Sequence, residues 1–136
     1  MVEVSVEHEH EFGAKEVWAV FADFGNVSWV PGIEKVELEG ERVGMIRHLT
    51  VPVYPQLHER LDSIDHEEMV LEYSIPAVEY IQVEDYAARA QVFDLGPGRC
   101  RTRMTCKAEA TGPEAEARTR AFYAAMLGWI DEFLKR

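Results

Sequence analysis

The clearest periodicity in the chain runs from Pro113 to Arg136. Phe122, Met126, Trp129, Ile130 and Phe133 recur there at spacings of three and four, with Ala121 and Ala125 beside them. That repeat marks one face of a helix. Arg118, Arg120, Asp131, Glu132 and Lys135 fall on the opposite side. Thr111 is placed to cap the helix, and Pro113 suits its first turn. Glu114 and Glu116 favour its positive end, while Lys135 and Arg136 complement its negative end. The pattern predicts one long amphipathic helix, which needs a concave apolar surface to lie against.

Elsewhere the repeat is two, the signature of strands with one buried face. Val2, Val4 and Val6 alternate with Glu3, Ser5 and Glu7, predicting a strand over 2–11. Residues 14–23 return to helical spacing, with Val17, Trp18, Val20 and Phe21 on the apolar side. Asn26 is placed to cap a second short helical turn, 26–30, which Pro31-Gly32 ends. Strands follow over 33–39, 43–51, 56–64, 68–75, 86–95 and 99–110. Gly40-Glu41-Arg42, Asp65-His66-Glu67 and Gly96-Pro97-Gly98 read as tight turns between them. Pro52, Tyr54 and Pro55 stiffen one loop, and 76–85 reads as another that can begin the next strand. The expected order is strand, two short helices, six strands and a long helix, in a single domain spanning 1–136.

Alternation also assigns faces. On the last strand Cys100, Thr102, Met104, Cys106 and Ala108 point inward. On the strand before it, Tyr86, Ala88, Ala90 and Val92 do so. Alanine where a sheet curved round a helix is usually filled by larger side chains leaves space. An internal cavity is the expectation, with leucine at either alanine filling it. The alternative is that helix side chains reach down and fill it.

Composition narrows the class. At 136 residues, 47% apolar and 29% charged, the chain is an ordinary globular domain. Its net charge of −11 makes nucleic acid and anionic membranes poor partners. The first residues have no continuous apolar run, and no segment approaches a membrane span. Cys100 and Cys106 on one strand sit roughly 20 Å apart, far beyond disulfide reach. Free thiols and the lack of a leader pattern point to the cytoplasm.

The order of elements, with VWAVFADFGNVSWVPGI, EG…VGMIRHL, HERLDSID and LEYSI, resembles the START-like superfamily over nearly the whole chain. The match is most specific to its SRPBCC polyketide cyclase/dehydrase group. The resemblance implies an α+β helix-grip fold: a curved seven-stranded antiparallel sheet wrapped around the C-terminal helix, with a hydrophobic ligand cavity between them. It aligns Glu59 with an inward carboxylate near the pocket and Arg47 with a basic residue on the neighbouring strand. Tyr73, Ile75 and Tyr86 match pocket-lining positions, and Phe122 and Met126 match cavity-facing helix positions. Two departures stand out. Met104 replaces a frequent tryptophan, and VPVYPQ replaces the glycine-containing gate of the plant hormone receptors, so hormone sensing is not implied.

The candidate chemistry follows from parity. Arg47 shares the inward parity of Met45, Leu49 and Val51, and Glu59 that of Leu57 and Leu61. A buried charge is costly unless paired, so the two either satisfy each other or anchor a ligand's polar end. Tyr54, Tyr73, Tyr80 and Tyr86 offer phenolic hydroxyls, of which Tyr86 has the roomiest surroundings. His8 and His10 lie toward the end of an inward face, and His48 and His58 on outward positions of adjacent strands. No third ligand has diagnostic metal spacing, and His66 belongs to an exposed turn. Nucleophile elbows, phosphate loops and nucleotide fingerprints are absent from the sequence, so no metal or cofactor is expected. Two readings remain. One is a monomer or homodimer binding a lipid, polyketide or aromatic metabolite against Arg47, Leu49, Glu59, Leu61, Tyr73, Ile75, Tyr86, Ala88, Ala90, Met104, Phe122 and Met126. The other is a cyclase, aromatase or dehydratase using the same cavity.

Overall fold

The computed structural model describes all residues, Met1–Arg136. β1 (Val2–His10) leads through Gly13 into α1 (Ala14–Ala22). Then come β2 (Lys35–Glu39), β3 (Ile46–Thr50), β4 (Leu57–Asp65) and β5 (Val70–Val78). A single 3₁₀ turn at Glu79–Ile81 precedes β6 (Val83–Asp94) and β7 (Cys100–Ala110), and α2 (Ala115–Leu134) closes the chain. The seven strands form one antiparallel sheet in the order β1-β7-β6-β5-β4-β3-β2. Consecutive strands pair through short turns except at the start, where β1 crosses to the far side of β7.

Curvature has local causes. The β4–β5 register slips between Leu61 and Ser63, and the β6–β7 register between Glu84 and Ala87. The second slip includes Asp85 at φ +49°, with one extra residue on β6, an irregularity of the kind that bends a strand and increases its twist. The bent sheet's inner face and both helices share one core, to which α1 contributes Val17, Trp18, Val20 and Phe21.

Three expectations are corrected. The second short helix does not form: 23–34 is a run of turns, in which Asn26 Oδ1 accepts the Ser28 N–H instead of capping a helix. The long helix begins at Ala115 with Glu114 at its cap and no side-chain capping bond, so Thr111 and Pro113 lie before it. Its buried seam is also rotated. Ala115, Thr119, Tyr123, Met126, Leu127 and Ile130 are buried, whereas Phe122, Trp129 and Phe133 are half-buried at its flank. Tyr123 and Leu127 carry the apolar burial that Phe122 and Phe133 were expected to carry. Asp131 is likewise turned from the expected polar side toward β1, while Arg118, Arg120 and Lys135 pair outside with Glu114, Glu116 and Glu132.

A candidate ligand site between sheet and helix

Arg47 and Glu59 face each other directly across the β3–β4 pair. Their side chains are only 12% and 10% exposed. Arg47 Nε donates to Glu59 Oε1 at 2.7 Å, and Nη2 approaches the same oxygen. Nη1 donates to the Phe24 carbonyl at 2.8 Å, and the guanidinium stacks 3.9 Å above the Phe24 ring. The arginine is thus held from three sides. Both contacts to the carboxylate end on Oε1, leaving Glu59 Oε2 with no protein partner.

This pair forms the polar end of a cavity of about 180 Å³ between β3, β4, the 27–33 loop, the 3₁₀ turn and α2. Apart from Arg47, Glu59 and Glu79, its walls are apolar or aromatic. A chain of edge-on rings runs along it: Tyr54 against Tyr80, Tyr80 against Phe122, and Phe122 against Trp129. Trp29 contributes to the wall, and its indole N–H, sealed from solvent, has no hydrogen-bond partner.

Of the residues proposed from sequence, Arg47, Leu49, Glu59, Tyr73, Phe122 and Met126 lie along this cavity. Leu61, Ile75, Tyr86, Ala88 and Ala90 do not. All five are buried in the core, with Ala88 also at the edge of a separate open groove beside Val4, Tyr73 and Cys106. Met104 lies beside a separate void of about 20 Å³, room for one water. The alanine layer is filled. Ala88 pairs with Tyr73 and Cys106, and Tyr123 descends from α2 to bond the Tyr86 hydroxyl beside it. Ala90 sits between Leu71 and Met104, both fully buried. A leucine at either alanine would therefore overpack the core rather than plug a ligand cavity. Tyr123 was legible as part of the Thr119, Tyr123, Met126, Ile130 spacing, but the neighbouring Phe122 stripe is more apolar and masked it.

The electrostatics of the interior leave little to titrate. Tyr73, Tyr86 and Tyr123 form a hydroxyl chain, with Tyr73 and Tyr86 3.4 Å apart. Burial, and the neighbouring Glu59 in the case of Tyr73, push all three phenols above their ordinary value. They stay protonated as hydrogen-bonding groups. Burial also raises Cys106 and pushes Cys100 up to about 11, so neither is a thiolate near neutrality. On the sheet's outer face His48 and His58 meet through their Nδ1 atoms at 2.7 Å, and Glu39 engages the far nitrogen of His48. Exposed His66 accepts the Trp18 indole N–H. No helix is long and apolar enough to cross a membrane.

Known structures share this architecture. An uncharacterized protein from Bacillus thuringiensis superposes with a TM-score of 0.86 at 21% identity, over 99% of this chain and 100% of that one. The protein XoxI from Bacillus cereus gives 0.83 at 22%, over 97% and 94%. Norcoclaurine synthase from Thalictrum flavum, in complex with dopamine and hydroxybenzaldehyde, gives 0.76 at 20%, over 97% and 85%. At these identities the likeness establishes the fold. Comparison with curated protein sequences returns no match. The family model described as polyketide cyclase / dehydrase and lipid transport matches residues 1–136, and the chain belongs to that family.

Proposed function

We propose that the protein binds a small, single-ring molecule carrying a hydrogen-bond donor, with the donor at Glu59 and the ring among Phe122, Met126 and Trp129. The observation that carries this reading is the free Oε2 of Glu59 at the end of an otherwise apolar cavity. An ionised carboxylate oxygen facing such a space favours a hydroxyl or ammonium donor, a contact worth about 1.5–3 kcal/mol. Size selects the rest. A dry cavity of about 150 Å³ holds benzene, whereas drug-sized ligands occupy roughly 300–1,000 Å³. At about 180 Å³ the space suits one substituted ring and is too small for a folded polyketide chain or a long acyl tail. The dopamine and hydroxybenzaldehyde bound by the Thalictrum synthase are ligands of this size.

Binding is favoured over catalysis. The only ion pair next to the cavity already neutralises itself, and burial holds the Tyr73 phenol in its protonated form.

Calorimetric titration with 4-hydroxybenzaldehyde, benzaldehyde and palmitate tests the proposal. Expected is one equivalent of the phenol, bound about 10–100-fold more tightly than the unsubstituted ring, and lost in the space-filling variant Val51→Trp. One-to-one binding of palmitate with no uptake of either ring would overturn it.

A further inference from the structure

His8 and His10 lie two residues apart on β1, so both imidazoles project to one face. Their ring centroids are 4.7 Å apart. Asp131, in the last turns of α2, closes on them: Oδ2 is 2.7 Å from His8 Nε2, and Oδ1 is 2.6 Å from His10 Nδ1. The remaining nitrogen of His10, Nε2, is 2.9 Å from Thr102 Oγ1 on β7. His10 and Thr102 are sealed from solvent, whereas the His8 side chain is 33% exposed, so the cluster is open on one side.

We propose that His8 Nε2, His10 Nδ1 and the Asp131 carboxylate form a binding site for a divalent transition-metal ion, Zn²⁺ being the ion whose ligand preferences they fit. Two imidazoles and a carboxylate are a common zinc donor set, leaving a fourth position for water on the exposed His8 side. Zinc bonds of about 2.0–2.1 Å require donors about 3.3 Å apart in a tetrahedral site. The three donor atoms already lie within 4.8 Å of one another, and their hydrogen-bonded contacts need to open by well under 1 Å. Outer support is built in. When His10 Nδ1 takes a metal, its proton moves to Nε2, and the Thr102 hydroxyl turns from donor to acceptor, fixing the ring. A net charge of −11 raises the local concentration of cations. The other histidine pair is a poorer candidate, because Glu39 engages His48 on the nitrogen facing away from His58. The site is separate from the cavity and stands whether or not a ring binds there.

The test is titration of the full chain, free of any polyhistidine extension, with Zn²⁺ by calorimetry and with Co²⁺ by absorption. Expected is one equivalent per chain, tetrahedral cobalt bands, and a thermal midpoint raised roughly 5–10 °C at a zinc concentration about 100 times Kd. Losing an outer partner alone typically weakens a metal site about 10–100-fold. His8→Ala, which removes a ligand at a half-exposed position, is therefore expected to weaken binding at least about tenfold. The double variant His48→Ala/His58→Ala is expected to bind like the unmodified protein. No bound equivalent at millimolar zinc, binding unchanged by His8→Ala, or binding abolished in the double variant would each overturn the proposal.

Discussion

Glu59 illustrates how one side chain can hold two roles. Its Oε1 neutralises Arg47 while Oε2 stays free, and both side chains are nearly out of water. Removing one member of a buried pair typically costs about 3–5 kcal/mol. Glu59→Gln keeps a neutral acceptor for Arg47, and Arg47 keeps Phe24, so the loss is expected near the lower end, about 3 kcal/mol. Urea unfolding measures it. The double variant Arg47→Met/Glu59→Leu should recover most of that loss, since two apolar side chains leave no charge stranded. Parity along two short strands was enough to bring Arg47 and Glu59 together from the sequence, because cross-strand register converts alternation directly into contact. It could not assign Ala88 or Ala90. Whether a small residue leaves space depends on what descends from the opposite layer, and Tyr123 does so here.

At the level of elements, alternation located all seven strands, since period two is hard to mistake when one face is buried. Helical phase was harder to read. Phe122, Trp129 and Phe133 look like a core stripe, yet the face against the sheet is Thr119, Tyr123, Met126, Leu127 and Ile130, about one residue round the helix. Phe122 and Trp129 on the more apolar flank line the cavity, which explains why those two rings are only half-buried. The short turn expected over 26–30 failed to become helical because turns and an Asx bond at Asn26 satisfy its backbone locally. Within α2, Gly128 sits mid-helix with no atom within 4 Å of where a Cβ would stand. Gly128→Ala is therefore expected to stabilise the protein by about 0.5–1 kcal/mol. A thermal midpoint about 2–4 °C higher would register this.

At the level of the whole molecule, the sheet order joins the two ends of the strand sequence. Val2 pairs with Ala108 and His10 with Cys100, so β1 has no sheet neighbour other than β7. Pairings of that sequence separation slow folding into the millisecond-to-second range. Stopped-flow refolding is expected to show this as a main phase slower than about 1 ms. The same arrangement has a consequence on the ribosome. At elongation rates of about 5–20 residues per second, β1 is made roughly 5–20 s before its partner. Through that interval its valines have nothing to pair with, and the like charges of Glu3, Glu7 and Glu9 at alternate positions of the same strand disfavour edge-to-edge association. The acidic half of the alternation thus guards the strand during synthesis, before any core exists for its valines to join.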